Sequence, residues 1–222
     1  MNPLIRTLCG SRRYFIAFTV YLLLSFIFWS LHSKADGFIL MNGKHSAGTE
    51  LFFSWFTHLG DGLFTLLLFV LLLLARQLLQ AVHLLLAYVY SGLLVQLIKH
   101  VTHMPRPKVF LHANQYDQFI EGISRGGWSS FPSGHTTTAF AVATVLALYA
   151  SNKWWRTFYL MAAILVGYSR IYLGHHFLED VLAGSIMGVF IAACVVAWMP
   201  ELKLFGRRVT GPLSSTPVVY NN

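Results

Sequence analysis

The residues equipped for chemistry fall in three short segments. The first is Lys99-His-Val-Thr-His103-Met-Pro-Arg106-Pro107, and the second is Phe131-Pro132-Ser133-Gly134-His135. The third runs from Ser169-Arg170 through His175-His176 to Glu179-Asp180. Lys99, Arg106 and Arg170 have no comparable cluster of adjacent carboxylates, so an anion is needed to neutralise them. An arginine fork matches phosphate oxygens, and a lysine ammonium adds a compact charge. Pro132-Ser133-Gly134 stands where a helix opens, which aims free backbone N–H groups and a positive dipole end at the same anion. Gly134 permits close backbone approach, and the Ser133 hydroxyl donates as well. Together these residues describe a phosphate cradle that needs no metal.

His176 and Asp180 are four residues apart, hence on one helical face. A carboxylate on one imidazole nitrogen fixes the tautomer and leaves the other free to attack. His135, beside the cradle, is positioned as the proton donor to a leaving oxygen. The reaction class is phosphoryl transfer to His176 and then to water, in which a protein mainly positions groups and neutralises charge. A metal centre is the rival for so many histidines. His176 and Asp180 would supply two ligands, but three nearby cations repel a divalent ion. No metal and no cofactor are expected.

The elements that hold these segments are readable from composition. Of 222 residues, 56% are hydrophobic and 11% charged, against about 25% charged in a soluble domain. That excludes intrinsic disorder, a disulfide scaffold and a soluble nucleic-acid binder. The net charge of +8 belongs to membrane-surface loops and to the cradle, so no nucleic-acid partner is expected. Apolar runs predict an all-α, single-domain membrane protein with six spans at about 14–31, 57–75, 78–98, 134–150, 155–173 and 178–198. The first run, preceded by Arg12 and Arg13, is read as a retained helix rather than a cleaved leader. Residues 206–222 read as a disordered tail. Cys9 and Cys194 fit no metal or disulfide pattern.

With six spans, Arg6, Arg12, Arg13, Arg76, Lys153, Arg156, Lys203, Arg207 and Arg208 share one side. Four cations remain opposite once the three cradle residues are set aside. The positive-inside rule then predicts cytoplasmic termini and an outward active site. All histidines except His83 fall on that outer side or its boundary. Gly184 and Gly188 read as a close-packing face, and Trp128, Trp154, Trp155 and Trp198 as membrane-edge residues. Loop 108–131, with Gln115, Tyr116, Asp117, Glu121, Arg125 and Trp128, is expected to shape the entrance.

Lys-x6-Arg-Pro, then Pro-Ser-Gly-His, then Ser-Arg-x5-His-x3-Asp resembles the type 2 phosphatidic acid phosphatase superfamily, which includes vanadium haloperoxidases. The match holds at Lys99, Arg106, Pro107, Pro132 to His135, Ser169, Arg170, His176 and Asp180. The resemblance implies a six-helix membrane core and assigns His176 as nucleophile and His135 as acid. It places Lys99, Arg106, Ser133, Gly134 and Arg170 on the phosphate. Its Arg-x5-His spacing selects His176 over the competing pair His175–Glu179, leaving His175 as a wall or surface residue. His103 reads as a solvated loop histidine.

The resulting expectation is a bacterial inner-membrane phosphatase acting on a lipid-linked phosphate or diphosphate within the bilayer. Lipid A and undecaprenyl diphosphate are favoured, with phosphatidic acid and phosphatidylglycerophosphate behind them. A lipid phosphotransferase would use the same residues. An anion transporter would explain the cations but not the His176–Asp180 pair beside His135.

Overall fold

The structure is a computed structural model that describes residues 3–111, 116–199, 201–204 and 207–210. Ten α-helices are described in chain order: α1 (Pro3–Gly10), α2 (Arg12–Leu31), α3 (Lys34–Asn42), α4 (Ala47–Phe56), α5 (Gly62–Leu74), α6 (Leu78–Thr102), α7 (Pro107–Phe110), α8 (Gly134–Tyr149), α9 (Lys153–Tyr172) and α10 (Leu178–Trp198). A 3-10 turn, Thr57–Gly60, joins α4 to α5. After α10, two short strands, β1 (Glu201–Leu204) and β2 (Arg207–Thr210), pair antiparallel.

α8 is the centre of the bundle. Its sequence is rich in Ala and Thr, so α9 and α10 approach its backbone closely, and Phe140, Ala141, Val145 and Ala147 are fully buried. The Gly184–Gly188 face of α10 makes that approach possible. A Cβ on Gly184 would sit 2.7 Å from the Ser133 carbonyl oxygen, and one on Gly188 would collide with the Thr137 carbonyl. Small residues at such contacts matter because lipid is as apolar as leucine, which leaves packing to hold the helices together. α2 shows the opposite pattern. It is apolar around its whole circumference and buries only Tyr14 and Phe18, while Leu23, Leu24, Phe26 and Ile27 lie exposed. Trp128, Trp154, Trp155 and Trp198 are exposed as well.

Helices α2, α6 and α10 are long and apolar enough to cross a membrane. The segments Ala47–Gly60 and Gly62–Leu74 add a fourth crossing if taken as one span, bent by 56°. The predicted span 57–75 is therefore corrected. The helix does not run through Asp61, whose φ of −85° and ψ of 149° are extended and which acts as the N-cap of α5. α8 and α9 lie where spans were predicted, although the 16 residues of α8 extend only about 24 Å against a hydrocarbon core of roughly 30 Å. Because α8 is enclosed by neighbouring helices, its length need not match the bilayer.

Two further expectations change. The body is all-α as predicted, but a β-hairpin follows it. The tail reading of 206–222 is corrected at 207–210, which form β2, and its other residues lie outside the described ones.

Candidate active site

Local sequence builds the cradle in steps. Ser133 is the N-cap of α8, and its hydroxyl accepts from Thr136, both from the backbone N–H at 3.5 Å and from the side-chain hydroxyl at 2.8 Å. Its own N–H donates to the Asp180 carbonyl at 3.0 Å, which ties the mouth of α8 to the first turn of α10. Gly134 is half-buried, and a Cβ there would meet protein no closer than Val95, at 3.7 Å. The space beside Gly134 is open to an anion.

His176 lies in the turn between α9 and α10 and is 2% exposed. Its Nδ1 faces Oδ2 of Asp180 at 3.3 Å. That oxygen also accepts the Ser130 hydroxyl at 2.5 Å and the Phe177 N–H at 2.9 Å. With three donors around it, Oδ2 is an acceptor, so Nδ1 of His176 carries the proton and Nε2 keeps its lone pair. Burial, followed by the charges of Arg170, Arg106 and Lys99, holds the His176 imidazole well below the ordinary histidine value. That direction favours the neutral ring, in which the Nε2 lone pair is free.

Arg170, in the last turn of α9, is 4% exposed and is clamped from two sides. One guanidinium nitrogen donates to the Thr57 hydroxyl at 2.7 Å, and another donates to Nδ1 of His175. Nε2 of His175 in turn donates to the Ile123 carbonyl at 2.8 Å. Burial and the neighbouring guanidinium push His175 down to about 2, which keeps its Nδ1 lone pair available as the acceptor. The Nε of Arg170 is buried without a protein partner. His175 is thus neither a bare wall nor a surface group, and it is not paired with Glu179, which binds Lys34 at 2.6 Å.

Lys99 and Arg106 come from the end of α6 and the segment that follows it. The Lys99 ammonium donates to the Ser129 carbonyl at 2.9 Å. The Arg106 N–H donates to Gly127, and the Ser130 N–H to Met104, so the first segment and the loop before Ser133 form one unit. Among the described residues, none of Lys99, Arg106 and Arg170 makes an ion pair. His135, half-buried at the start of α8, lies within electrostatic reach of Arg170, Asp61 and His176. All eight residues singled out from the sequence are therefore on one end of the bundle.

The structure adds positioning groups that sequence reasoning missed. Ser130 and Thr57 are isolated hydroxyls with no spacing signal. Asn42, at the end of α3, donates to the carbonyls of Ile171 and Tyr172 at 2.8 Å each and pins the turn that carries Arg170. Loop 116–131 folds over this end, where Ser124 donates to the Leu173 carbonyl at 3.0 Å. Gln115 lies outside the described residues. His103 is exposed, as expected of a loop histidine, and ends α6 in the left-handed conformation. Among the described residues no group of three or more His, Cys, Asp or Glu side chains is arranged to hold a metal ion.

The chain is similar to several known proteins. A solved structure, the crystal structure of Aquifex aeolicus LpxE, superposes with a TM-score of 0.65 at 31% identity, covering 72% of this chain and 93% of that one. Lipid phosphate phosphatase 1 of Arabidopsis thaliana is 34% identical over 135 residues, which are 50% of this chain and 41% of that protein. Lipid A 1-phosphatase of Rhizobium johnstonii is 34% identical over 104 residues, 47% of this chain and 41% of the relative. The match thus spans less than half the length of these two relatives. The PAP2 superfamily model matches residues 80–204, which contain all three segments of the site. On that match, the chain belongs to the PAP2 superfamily.

Proposed function

We propose that the protein is an integral membrane phosphatase that hydrolyses a lipid-linked phosphate monoester or diphosphate through a phosphohistidine on His176. The observation that carries this reading is the neutral His176 held by Asp180 at 3.3 Å beside three cations that lack carboxylate partners. Arg170, Arg106 and Lys99 bind the phosphate oxygens, together with the Ser133–Gly134 end of α8. Nε2 of His176 attacks phosphorus as the bond to the leaving oxygen breaks, and His135 gives that oxygen its proton. Water then gives a proton to His135 as its oxygen attacks phosphorus. The P–N bond breaks, releasing phosphate and returning the electron pair to Nε2.

Six crossings are proposed, by α2, the bent α4–α5 pair, α6, α8, α9 and α10. The termini are cytoplasmic and the site faces outward, in a bacterial inner membrane. A lipid A phosphate or undecaprenyl diphosphate is the favoured substrate, since both present phosphate on the outer leaflet. Relatives named as lipid phosphate and lipid A phosphatases support the lipid class.

The test is phosphate release by purified protein from a panel of lipid phosphates and diphosphates in detergent micelles. Wild-type protein is expected to release phosphate in the presence of EDTA, and His176→Ala to lose about a thousandfold or more in kcat. Full release by His176→Ala would overturn the nucleophile assignment. Transfer of the group to a lipid or sugar acceptor in preference to water would identify a phosphotransferase.

A further inference from the structure

One cavity among the described residues lies outside the cradle. It has a volume of about 680 Å3 and lies between α2, the Thr57–Gly60 turn, α8, α9 and the first turns of α10 at Leu178 and Val181, with no charged residue in its lining. None of the eight site residues lines it, but its walls include the helices that carry His135 and Arg170. On α8 the lining residues Ala139, Val142 and Leu146 fall four, seven and eleven positions after His135, which places them on the helical face that begins with it. On α9 the lining residues Val166, Ala163 and Tyr159 fall four, seven and eleven positions before Arg170. Two helical stripes therefore descend from His135 and Arg170 and enclose one apolar slot. The turn above it is part of the site as well. Leu59 lines the slot, Thr57 holds Arg170, and Gly60 lies so close to the His135 backbone that a Cβ would stand 2.6 Å from its carbonyl oxygen.

The slot follows α9 from Ile171 to Phe158, fourteen residues or about 20 Å of helix. That is roughly two thirds of the hydrocarbon thickness of a bilayer. We infer that this slot takes a hydrocarbon chain of the substrate. The inference rests on the phosphatase reading and deepens it through the direction of the reaction. The bond that breaks lies opposite the attacking His176, and its oxygen receives the proton from His135. That oxygen carries the lipid. The chain must therefore leave the phosphate on the His135 side, toward the stripe of α8 that lines the slot from Ala139 onward. Binding energy from a chain held there acts at a distance on the reacting centre.

Two substitutions narrow the slot from opposite walls, Ala162→Phe on α9 and Ser25→Phe on α2. Each is assayed on two phosphate monoesters, one with a long acyl chain and one short-chain and water-soluble. The kcat/KM for the long-chain ester is expected to fall about tenfold or more, and that for the short-chain ester to stay within about twofold. Equal losses on both esters in both variants, or no loss on either, would overturn the slot assignment. A second measurement needs no turnover. A long-chain lipid phosphate with a photoreactive group at its chain end is expected to label Phe158–Val166 of wild-type protein more strongly than the same chain under a neutral head group. Labelling confined to other helices, or equal labelling by the neutral lipid, would overturn the assignment. Labelling of the slot with no phosphate released from either ester would overturn the phosphatase reading alone.

Discussion

His175 and Arg170 are five residues apart and joined side chain to side chain. The guanidinium donates to Nδ1 of the imidazole, whose Nε2–H is spent on the Ile123 carbonyl. His175→Leu would leave a buried guanidinium N–H without its acceptor, a cost of about 1–3 kcal/mol. The expected outcome is a fall of about tenfold to a hundredfold in kcat/KM on a lipid phosphate, mostly as a rise in KM. His175→Asn, whose side-chain carbonyl can stand in for Nδ1, should regain most of it. Unchanged kinetics in the leucine variant would show that Thr57 alone suffices to aim Arg170.

Ser130 acts one shell further out. Its hydroxyl donates to the Asp180 oxygen that faces His176. Ser130→Ala removes one of three donors from a buried carboxylate, at a cost of roughly 1–3 kcal/mol. Steady-state kinetics should show kcat lower with KM little changed, because the orientation of the proposed nucleophile suffers and the cations do not. A change confined to KM would place Ser130 on the substrate side instead.

Gly184 sets the distance between the cradle and the helix that carries Asp180. A Cβ there would lie 2.7 Å from the Ser133 carbonyl and 3.0 Å from the Thr137 hydroxyl. Gly184→Ala should therefore push α10 from α8 and destabilise the fold by about 1–3 kcal/mol. Thermal unfolding in detergent would record a lower midpoint, with activity lost even below it. An unaltered midpoint would mean that the two helices have room to give.

Acid should destabilise the protein through its buried imidazoles. His175 is held near 2 in the folded chain, against an ordinary value of 6.5 when unfolded. Below 6.5 the unfolded state binds a proton that the folded state refuses. This contribution is therefore complete above that value and is lost as pH falls toward 2. For one such histidine the loss is about 2 kcal/mol between roughly pH 7 and pH 5. His176 is shifted in the same direction. Denaturation in detergent at several pH values should show a steeper acid decline for wild type than for His175→Asn. Parallel curves would mean that His175 titrates normally.

The candidate groups and the helices were legible in the sequence by itself, because both depend on residue type and short spacing. Apolar runs placed α2, α6, α8, α9 and α10 to within a few residues, and four-residue spacing put His176 and Asp180 on one face. The break at Asp61 was not legible. It follows from where the Thr57–Gly60 turn must lie to bring Thr57 to Arg170 and Gly60 to His135, contacts that span more than seventy residues. The same holds for Ser130 and Asn42, common polar residues whose roles arise only because distant carboxylate and carbonyl groups arrive beside them. Tertiary structure also decided what His175 does. Its spacing to Glu179 matches that of His176 to Asp180, but the fold gives Glu179 to Lys34 and turns the imidazole toward a guanidinium. Local chemistry named the candidate groups, and long-range packing chose which neighbours orient them.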